Sequence, residues 1–135
     1  MKKIALLVIA LMMVASVALA ENITPGNLAD LKGTWIGVLS FNVGANCPAE
    51  LTILNDTVPV QARLTVSMVP DQIAVQISAS GGQNSFSNDE GRITTQGSLM
   101  FAANKNFMEF SLKGNKLDGW FYYNGARGDM MLHKK

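Results

Sequence analysis

Apolar and polar residues alternate with a period of two along most of the chain after residue 34. The apolar members of the clearest runs are Trp35, Gly37, Leu39 and Phe41; Leu64, Val66 and Met68; Ile73, Val75 and Ile77; and Met108, Phe110 and Leu112. A period of two with one apolar side predicts half-buried β-strands. No helical period stands out in this part of the chain. The pattern therefore predicts an all-β protein.

Turn-forming residues separate the runs, mostly at spacings of roughly eight to twelve residues, which is typical of antiparallel sandwiches and barrels. The strongest hairpin signal is Asn124-Gly125, because a type I′ turn needs positive φ at both central residues. The polar, Gly-rich stretch 78–92 is predicted to be a long loop or a loose hairpin. About eight strands without covering helices favour an antiparallel up-and-down barrel, since closure leaves no sheet edge exposed. Such a barrel is either filled by side chains or holds one small ligand.

Residues 1–20 have the pattern of a bacterial secretory signal peptide. Two lysines precede an apolar run that ends in Ala18-Leu19-Ala20, a small-x-small cleavage step. We expect cleavage after Ala20, a periplasmic or secreted protein, and one β-barrel domain over 21–135. We do not expect an integral membrane protein. An outer-membrane barrel would need an outward apolar band with aromatic girdles, whereas each strand here has one apolar face.

The charge of the exported chain is close to neutral. Of the 11 Lys+Arg residues, Lys2 and Lys3 lie in the signal peptide, so nine remain against 10 Asp+Glu, a formal net charge of −1. Proteins that bind nucleic acid usually carry a basic patch or a basic overall charge. We therefore expect no nucleic-acid partner.

Residues able to support catalysis are few. Cys47 is the only cysteine and His133 the only histidine. A Cys–His nucleophile pair needs both groups held together by a third, and a structural zinc site needs about four ligands. We expect no enzyme activity, no metal and no cofactor. Cys47 is predicted to be a buried core thiol, with an exposed thiol or an intermolecular disulfide as the alternative. Calcium binding by Asp89 and Glu90 is a further alternative.

The start of the first strand resembles a known family. A short helical turn in "PGNLADLKG", with Asn27 as its N-cap, precedes Gly33-Thr34-Trp35. This arrangement resembles the N-terminal signature of the lipocalins and the wider calycin superfamily. In that family the Trp closes one end of the barrel and a basic residue near the last strand packs over it. The resemblance implies that Gly33, Trp35 and Arg127 close the barrel here. The Thr-Asp-Tyr-like motif found midway along lipocalins is missing.

The same resemblance implies a binding function. We expect an exported lipocalin-like protein that binds a small apolar or amphipathic ligand. Haem ligation by His133, as in a related haem barrel, is an alternative under this resemblance. The candidate ligand-binding residues are apolar or aromatic members of the predicted strands: Leu39, Phe41, Val66, Met68, Val75, Phe110, Phe121 and Tyr123.

The aromatic segment "GWFYYNG" keeps a second function open. Trp120 and Tyr122 alternate with Phe121 and Tyr123, so aromatic side chains point to both faces of the strand. One pair can belong to the core, whereas the other must lie outside or at a mouth. Trp and Tyr suit surfaces that are half apolar and half wet. The alternative function is therefore a protein-interaction module, for example an inhibitor of an envelope or foreign hydrolase, with a filled barrel core.

Overall fold

The computed structural model describes residues 20–77, 82–103 and 106–135. The predicted signal peptide lies outside these residues, apart from Ala20. Within the described ranges the chain forms nine strands and two short helices, and a 3-10 turn at Pro25–Asn27 precedes the first helix. In chain order the elements are β1 (Ala20–Glu21), α1 (Leu28–Leu31), β2 (Gly33–Phe41), β3 (Asn46–Ile53), β4 (Val60–Val69), α2 (Asp71–Gln76), β5 (Gly82–Ile93), β6 (Leu99–Ala102), β7 (Phe107–Lys113), β8 (Lys116–Tyr123) and β9 (Ala126–Lys134).

Strands β2 to β9 close into an eight-stranded antiparallel barrel. Each strand pairs with the next one along the chain, and β9 pairs back onto β2. The two-residue strand β1 pairs with Leu112 and Lys113 of β7, beyond the part of β7 that pairs with β6. The predicted fold class, an up-and-down barrel with a short helical turn before its first strand, is confirmed.

The barrel core is built from every second residue of the strands. In β2, for example, Trp35, Leu39 and Phe41 are buried, whereas Val38 and Ser40 are exposed. The largest fully buried side chains include Leu39, Leu51, Leu64, Leu99, Phe101, Phe110 and Phe121. Aromatic rings meet across the interior, since the ring centroids of Phe86 on β5 and Phe121 on β8 are 4.8 Å apart.

One end of the barrel is covered by α1. Leu28 and Leu31 of this helix are both buried. The indole Nε1 of Trp35 donates a hydrogen bond of 2.9 Å to the backbone oxygen of Leu31. The polar atom of a buried Trp needs such a partner, so the helical turn and the first strand fix each other.

The opposite end is covered by α2, which follows the far end of β4. Ile73, Ala74 and Ile77 bury one side of this segment. The side chain of Asn124, in the β8–β9 turn, donates a 2.6 Å hydrogen bond to the backbone oxygen of Gln76. Because β4–β5 and β8–β9 lie on opposite sides of an eight-stranded barrel, this contact shows that α2 spans the end.

The strand predicted over Ile73, Val75 and Ile77 is wrong, because these residues belong to α2 and its C-terminus. Ile73 and Ile77 lie four residues apart on the buried side, whereas Val75 is 78% exposed. Spacings of three and four place residues on one face of a helix. The segment begins after Pro70, which takes the N-cap position.

Two details of β4 and β5 also differ from prediction. Residues 82–93, most of which were predicted to lie in a long loop or a loose hairpin, form the 12-residue strand β5. Met68 does not continue the inward run of Leu64 and Val66, because the register with β5 shifts between Val66 and Val69. Met68 has a φ of 57° and is 77% exposed. The predicted type I′ turn agrees with the structure, since φ is 49° at Asn124 and 88° at Gly125.

Candidate functional site on the outer wall

The predicted ligand-binding residues divide into two groups. Leu39, Phe41, Val66, Phe110 and Phe121 are buried, and Tyr123 is half-buried against Phe86 at a ring distance of 5.3 Å. Met68 and Val75 lie on the outside, so they do not line the interior with the other six. The reasons are the irregularity in β4 and the helical conformation of α2.

The structure does not place Arg127 over Trp35, where the resemblance implied it would lie. Trp35 is buried, but the cation above its ring is Lys134, whose Nζ lies 5.7 Å from the ring centroid. Lys134 pairs with Trp35 in the β2–β9 register, and its Nζ also donates to the backbone oxygen of Asp30. Gly33 begins β2 with a φ of 128°, a conformation that L side chains rarely adopt.

Arg127 instead packs on the second tryptophan. Its guanidinium carbon lies 5.4 Å from the ring centroid of Trp120, on the outer wall of the barrel. A guanidinium over an indole face is favourable, by about 0.5–1 kcal/mol at an exposed site. The contact therefore helps to hold a half-exposed aromatic side chain in one orientation.

Hydrogen bonds hold the other edge of the Trp120 ring. Its Nε1 donates to Oε1 of Glu109 at 3.1 Å, and the hydroxyl of Ser98 donates to Oε2 of Glu109 at 2.6 Å. The Ser98 hydroxyl also lies 2.6 Å from that of Thr94. Both oxygens of Glu109 are thus engaged, which fixes the indole on the barrel wall.

Trp120 lies at the centre of a partly apolar surface on β7, β8, β9 and β2. Cross-strand pairs place Phe107 beside Tyr122, Tyr122 beside Arg127, and Met131 beside Val38. All of these side chains except half-buried Trp120 are exposed. We call this surface the Trp120 face, and it comprises Val38, Phe107, Trp120, Tyr122, Arg127 and Met131. An exposed patch that joins aromatic, Met and Arg side chains is typical of protein-binding sites.

A groove of about 330 Å³ adjoins the Trp120 face. Its lining residues include three carboxylates and no Lys or Arg, and we call it the acidic groove: Gln96, Ser98, Glu109, Ser111, Asp118, Gly119, Trp120 and Asp129. Asp118 forms an ion pair of 2.8 Å with Lys113 at the edge of the groove, with both side chains partly exposed. Two further grooves formed by described residues lie on the outer wall over β2–β4 and at the end near Trp35.

The residues considered for catalysis lie apart. Cys47 is buried on β3 opposite Leu39, and burial raises the pKa of its thiol. His133 is exposed on β9 opposite Ile36, toward the other end of β2. Among the described residues, no three His, Cys, Asp or Glu side chains are placed to hold a metal ion.

Three buried asparagines were not predicted: Asn84, Asn88 and Asn106. Asn84 and Asn88 point inward from β5 on either side of Phe86. Asn88 donates to Asn106 and accepts from the backbone N–H of Glu90. The Nδ2 of Asn84 has no hydrogen-bond partner among the described residues. The alternation in "NSFSN" was the available signal, but the surrounding Gly and polar residues favoured a loop.

The chain gives no significant match to models of known protein families, to curated proteins or to solved structures. Neither helix in the described part of the chain is long and apolar enough to cross a membrane.

Proposed function

We propose that this protein is an exported protein-interaction module that binds its partner through the Trp120 face. The observation that carries the proposal is the fixed, half-exposed indole of Trp120, held by Glu109 and covered by Arg127. Trp, Tyr and Arg are the residues most often found at energetic hot spots of protein interfaces. All three types meet on this surface.

Preorganisation strengthens this proposal. Ordering a flexible side chain on binding costs about 0.5–1.5 kcal/mol. The hydrogen bonds that Ser98 and Trp120 donate to Glu109 already hold the Trp120 side chain in one orientation before a partner binds. A rigid aromatic group at the centre of an exposed patch supports recognition of another protein. Catalysis lacks similar support, because Cys47 is buried inside the barrel whereas His133 is exposed on its outer wall.

The many buried apolar side chains of the interior favour the outer wall over the inside as the working surface. The inward residues Leu39, Phe110 and Phe121 are fully buried within the core. We therefore propose a lipocalin-like architecture that is closed near Trp35 and binds its partner on the outer wall of the barrel. The predicted export to the periplasm or beyond would place the partner in the cell envelope or outside the cell.

Site-specific photo-crosslinking in the host tests this proposal. A photoreactive phenylalanine analogue replaces Tyr122, in the full chain with its leader, with and without Trp120→Ala. We expect one discrete protein adduct, reduced at least about tenfold by Trp120→Ala, since loss of a hot-spot side chain costs 2 kcal/mol or more.

The matched control places the same crosslinker at Ser85, which is exposed on β5 on another side of the barrel. Circular dichroism checks that the Trp120→Ala protein is folded. Adducts that form equally from Ser85, or that survive Trp120→Ala in a folded protein, would contradict binding through the Trp120 face.

A small-molecule carrier is the second candidate, and Asn84 favours it. Its side chain is 6% exposed, and its amide nitrogen lacks an acceptor among the residues that the structure describes. An unpaired buried amide costs about 1–3 kcal/mol, which a ligand with a hydrogen-bond acceptor would recover. Native mass spectrometry of protein from its own host tests this candidate. A bound mass that disappears in Asn84→Leu supports it, whereas a clean unliganded mass removes it.

A further inference from the structure

One edge of β5 extends beyond the strand beside it. β6 pairs only with residues 91–93 of β5, although β5 begins at Gly82. The β6–β7 hairpin turns back at Ala103, whose backbone N–H donates to the backbone oxygen of Asn106 at 3.2 Å. Within the described ranges, residues 82–90 therefore lie beside β4 on one side and have no paired strand on the other. We call this unpaired side the β5 edge.

The β5 edge can accept another strand. Unpaired backbone N–H and C=O groups at a sheet edge are a template for strand addition. Near the paired part, the backbone N–H of Glu90 is satisfied by the side chain of Asn88, which also donates to Asn106 in the hairpin turn. Among the described residues, no such contact covers the part of the edge from 82 to 86. This part also contains no charged residue and no Pro, the residues that block edges in natural proteins.

We infer that two copies of this chain pair through their β5 edges, with Asn84 on the two-fold axis. In a two-fold dimer the same patch faces itself, so the edge must complement itself. An antiparallel pair centred on Asn84 places this residue directly opposite its counterpart in the second copy. The Nδ2 of Asn84 has no hydrogen-bond partner among the described residues. Because an amide carries both a donor and an acceptor, the two side chains satisfy each other when they turn toward the edge.

The same register suits Phe86. It places Phe86 opposite Gly82 of the second copy, two positions from the axis. The Phe86 ring already packs against Phe121 and Tyr123, at centroid distances of 4.8 and 5.3 Å. Gly brings no side chain into this space, and an aromatic residue opposite an edge glycine stabilises a strand pair. A foreign strand can use the same backbone groups, whereas a second copy also presents Asn and Gly where this edge needs them.

The arrangement keeps like charges apart and leaves the Trp120 face open. Asp89 lies five positions from the axis, so its two copies would be roughly 34 Å apart at about 3.4 Å per residue. β5 lies opposite β9 in the barrel, because four pairings separate them in either direction. The dimer would therefore present two Trp120 faces, and a partner with two binding sites would bind it more tightly than a single chain.

Sedimentation equilibrium of the mature chain tests this inference. We expect a dimer that forms between about 10 μM and 1 mM, because one short strand pair is a small interface. Ser85 is exposed and lies next to the axis. Ser85→Lys should weaken the dimer at least about tenfold, since like charges across a strand pair are destabilising and edge lysines oppose pairing. Ser40→Lys is the matched control, because Ser40 is also exposed but is paired on both sides, by β3 and β9.

A disulfide trap tests the register. Residues directly opposite each other in an antiparallel pair have Cα atoms about 4.5–5.5 Å apart, within the range of a disulfide. In a Cys47→Ala background, Asn84→Cys chains should therefore be linked by air oxidation at least about tenfold faster than Ser40→Cys chains.

A monomer throughout the concentration range, equal weakening by Ser85→Lys and Ser40→Lys, or equal linking of the two Cys variants would overturn the inference. None of these results affects crosslinking from Tyr122, so the dimer and the proposed function are tested separately. In the host experiment, an adduct of twice the chain's mass at Ser85 supports the dimer and differs from the partner adduct expected at Tyr122. An adduct of another protein at Ser85 would mean that a foreign strand takes the β5 edge, which would overturn the inference.

Discussion

Cys47 is the one thiol of the chain, and its surroundings make it unreactive. It points inward from β3, opposite Leu39, and its Sγ lies 3.8 Å from the backbone oxygen of Met68. Desolvation disfavours the charged form of a buried thiol and so raises the pKa of Cys47. Because the thiolate is the reactive form, both burial and pKa protect the sulfur.

We expect folded protein to react with iodoacetamide at least about tenfold more slowly than protein in denaturant, because the thiolate is scarce and covered. Mass spectrometry of the quenched reaction measures both rates. Similar rates in the two states would mean that the start of β3, around Cys47, opens readily in the folded protein. Non-reducing gels would then show a disulfide-linked dimer.

The same shift predicts a pH dependence of stability. The pKa of the thiol is higher in the folded chain than in the unfolded chain, where it is roughly 8.5. The stabilisation by the buried protonated thiol is therefore complete below about pH 8.5 and is lost as the pH rises through the higher folded value. Denaturant melts of wild type and Cys47→Ala should converge toward alkaline pH, and a constant difference would contradict this.

Side-chain alternation predicts whether a strand residue points into or out of the barrel. It also shows why Arg127 was wrongly expected to lie over Trp35. Ala126, Gly128, Met130 and Leu132 are the buried positions of β9, so Arg127 faces outward and cannot cover inward-facing Trp35. Lys134 belongs to the inward-pointing set of β9 and is paired directly with Trp35. This pairing depends on the register between two strands far apart in sequence, which the pattern of one strand does not contain.

At the scale of elements, α2 shows how a short segment can satisfy two periods. Ile73, Val75 and Ile77 alternate, as a strand requires, but Ile73 and Ile77 also share a helical face. Six residues are too few for the two periods to be separated by pattern alone. The environment decided the outcome, because α2 covers the open end of the barrel and is anchored by Asn124.

The contact between β2 and β9 depends on Gly37. A Cβ atom at this position would lie 2.0 Å from the backbone oxygen of Met131 and 3.0 Å from a methyl carbon of Leu132. Real atoms cannot approach a backbone oxygen so closely, so a larger residue must push the two strands apart. Gly in a strand often marks such a close backbone approach.

We expect Gly37→Ala to lower the free energy of unfolding by roughly 1–3 kcal/mol, the range for an overpacked site. Gly26→Ala is the matched control, because its added Cβ would meet only the Thr24 hydroxyl at 3.6 Å. That control should stay within about 0.5 kcal/mol of wild type, or be slightly more stable. Urea melts give both free energies of unfolding. Equal losses in the two variants would show that the contact between β2 and β9 tolerates a methyl group.

At the scale of the whole molecule, the strand count and turn spacing were enough to predict a closed barrel. They were not enough to predict whether the interior is open, because that depends on the summed volume of inward side chains from all eight strands. Phe101, Phe110 and Phe121 each contribute a fully buried ring to this interior. Likewise, the Trp120 face joins residues of β2, β7, β8 and β9, so only the aromatic run in β8 was visible beforehand.

Closure makes the two ends of the barrel segment depend on each other. The pairing of β2 with β9 runs from Trp35 opposite Lys134 to Phe41 opposite Gly128. At the Trp35 end of this pairing, Lys134 contacts both the Trp35 ring and the backbone of α1. A perturbation of Trp35 should therefore be felt by Lys134, at the end of β9, and not by Arg127, at its start.

Double-mutant cycles on these residues test closure of the whole barrel. Trp35→Ala should lower the free energy of unfolding by about 3–5 kcal/mol, as for a buried large aromatic. Lys134→Met, which keeps an apolar stem but removes the ammonium group, should cost about 1 kcal/mol through its lost cation–π contact and hydrogen bond. Residues in contact couple by about 0.5 kcal/mol or more, whereas distant ones add within about 0.3–0.5 kcal/mol. We thus expect non-additivity for Trp35 with Lys134 and additivity for Trp35 with Arg127→Met. The reverse result in urea melts would place Arg127 over the barrel closure and contradict the β2–β9 register.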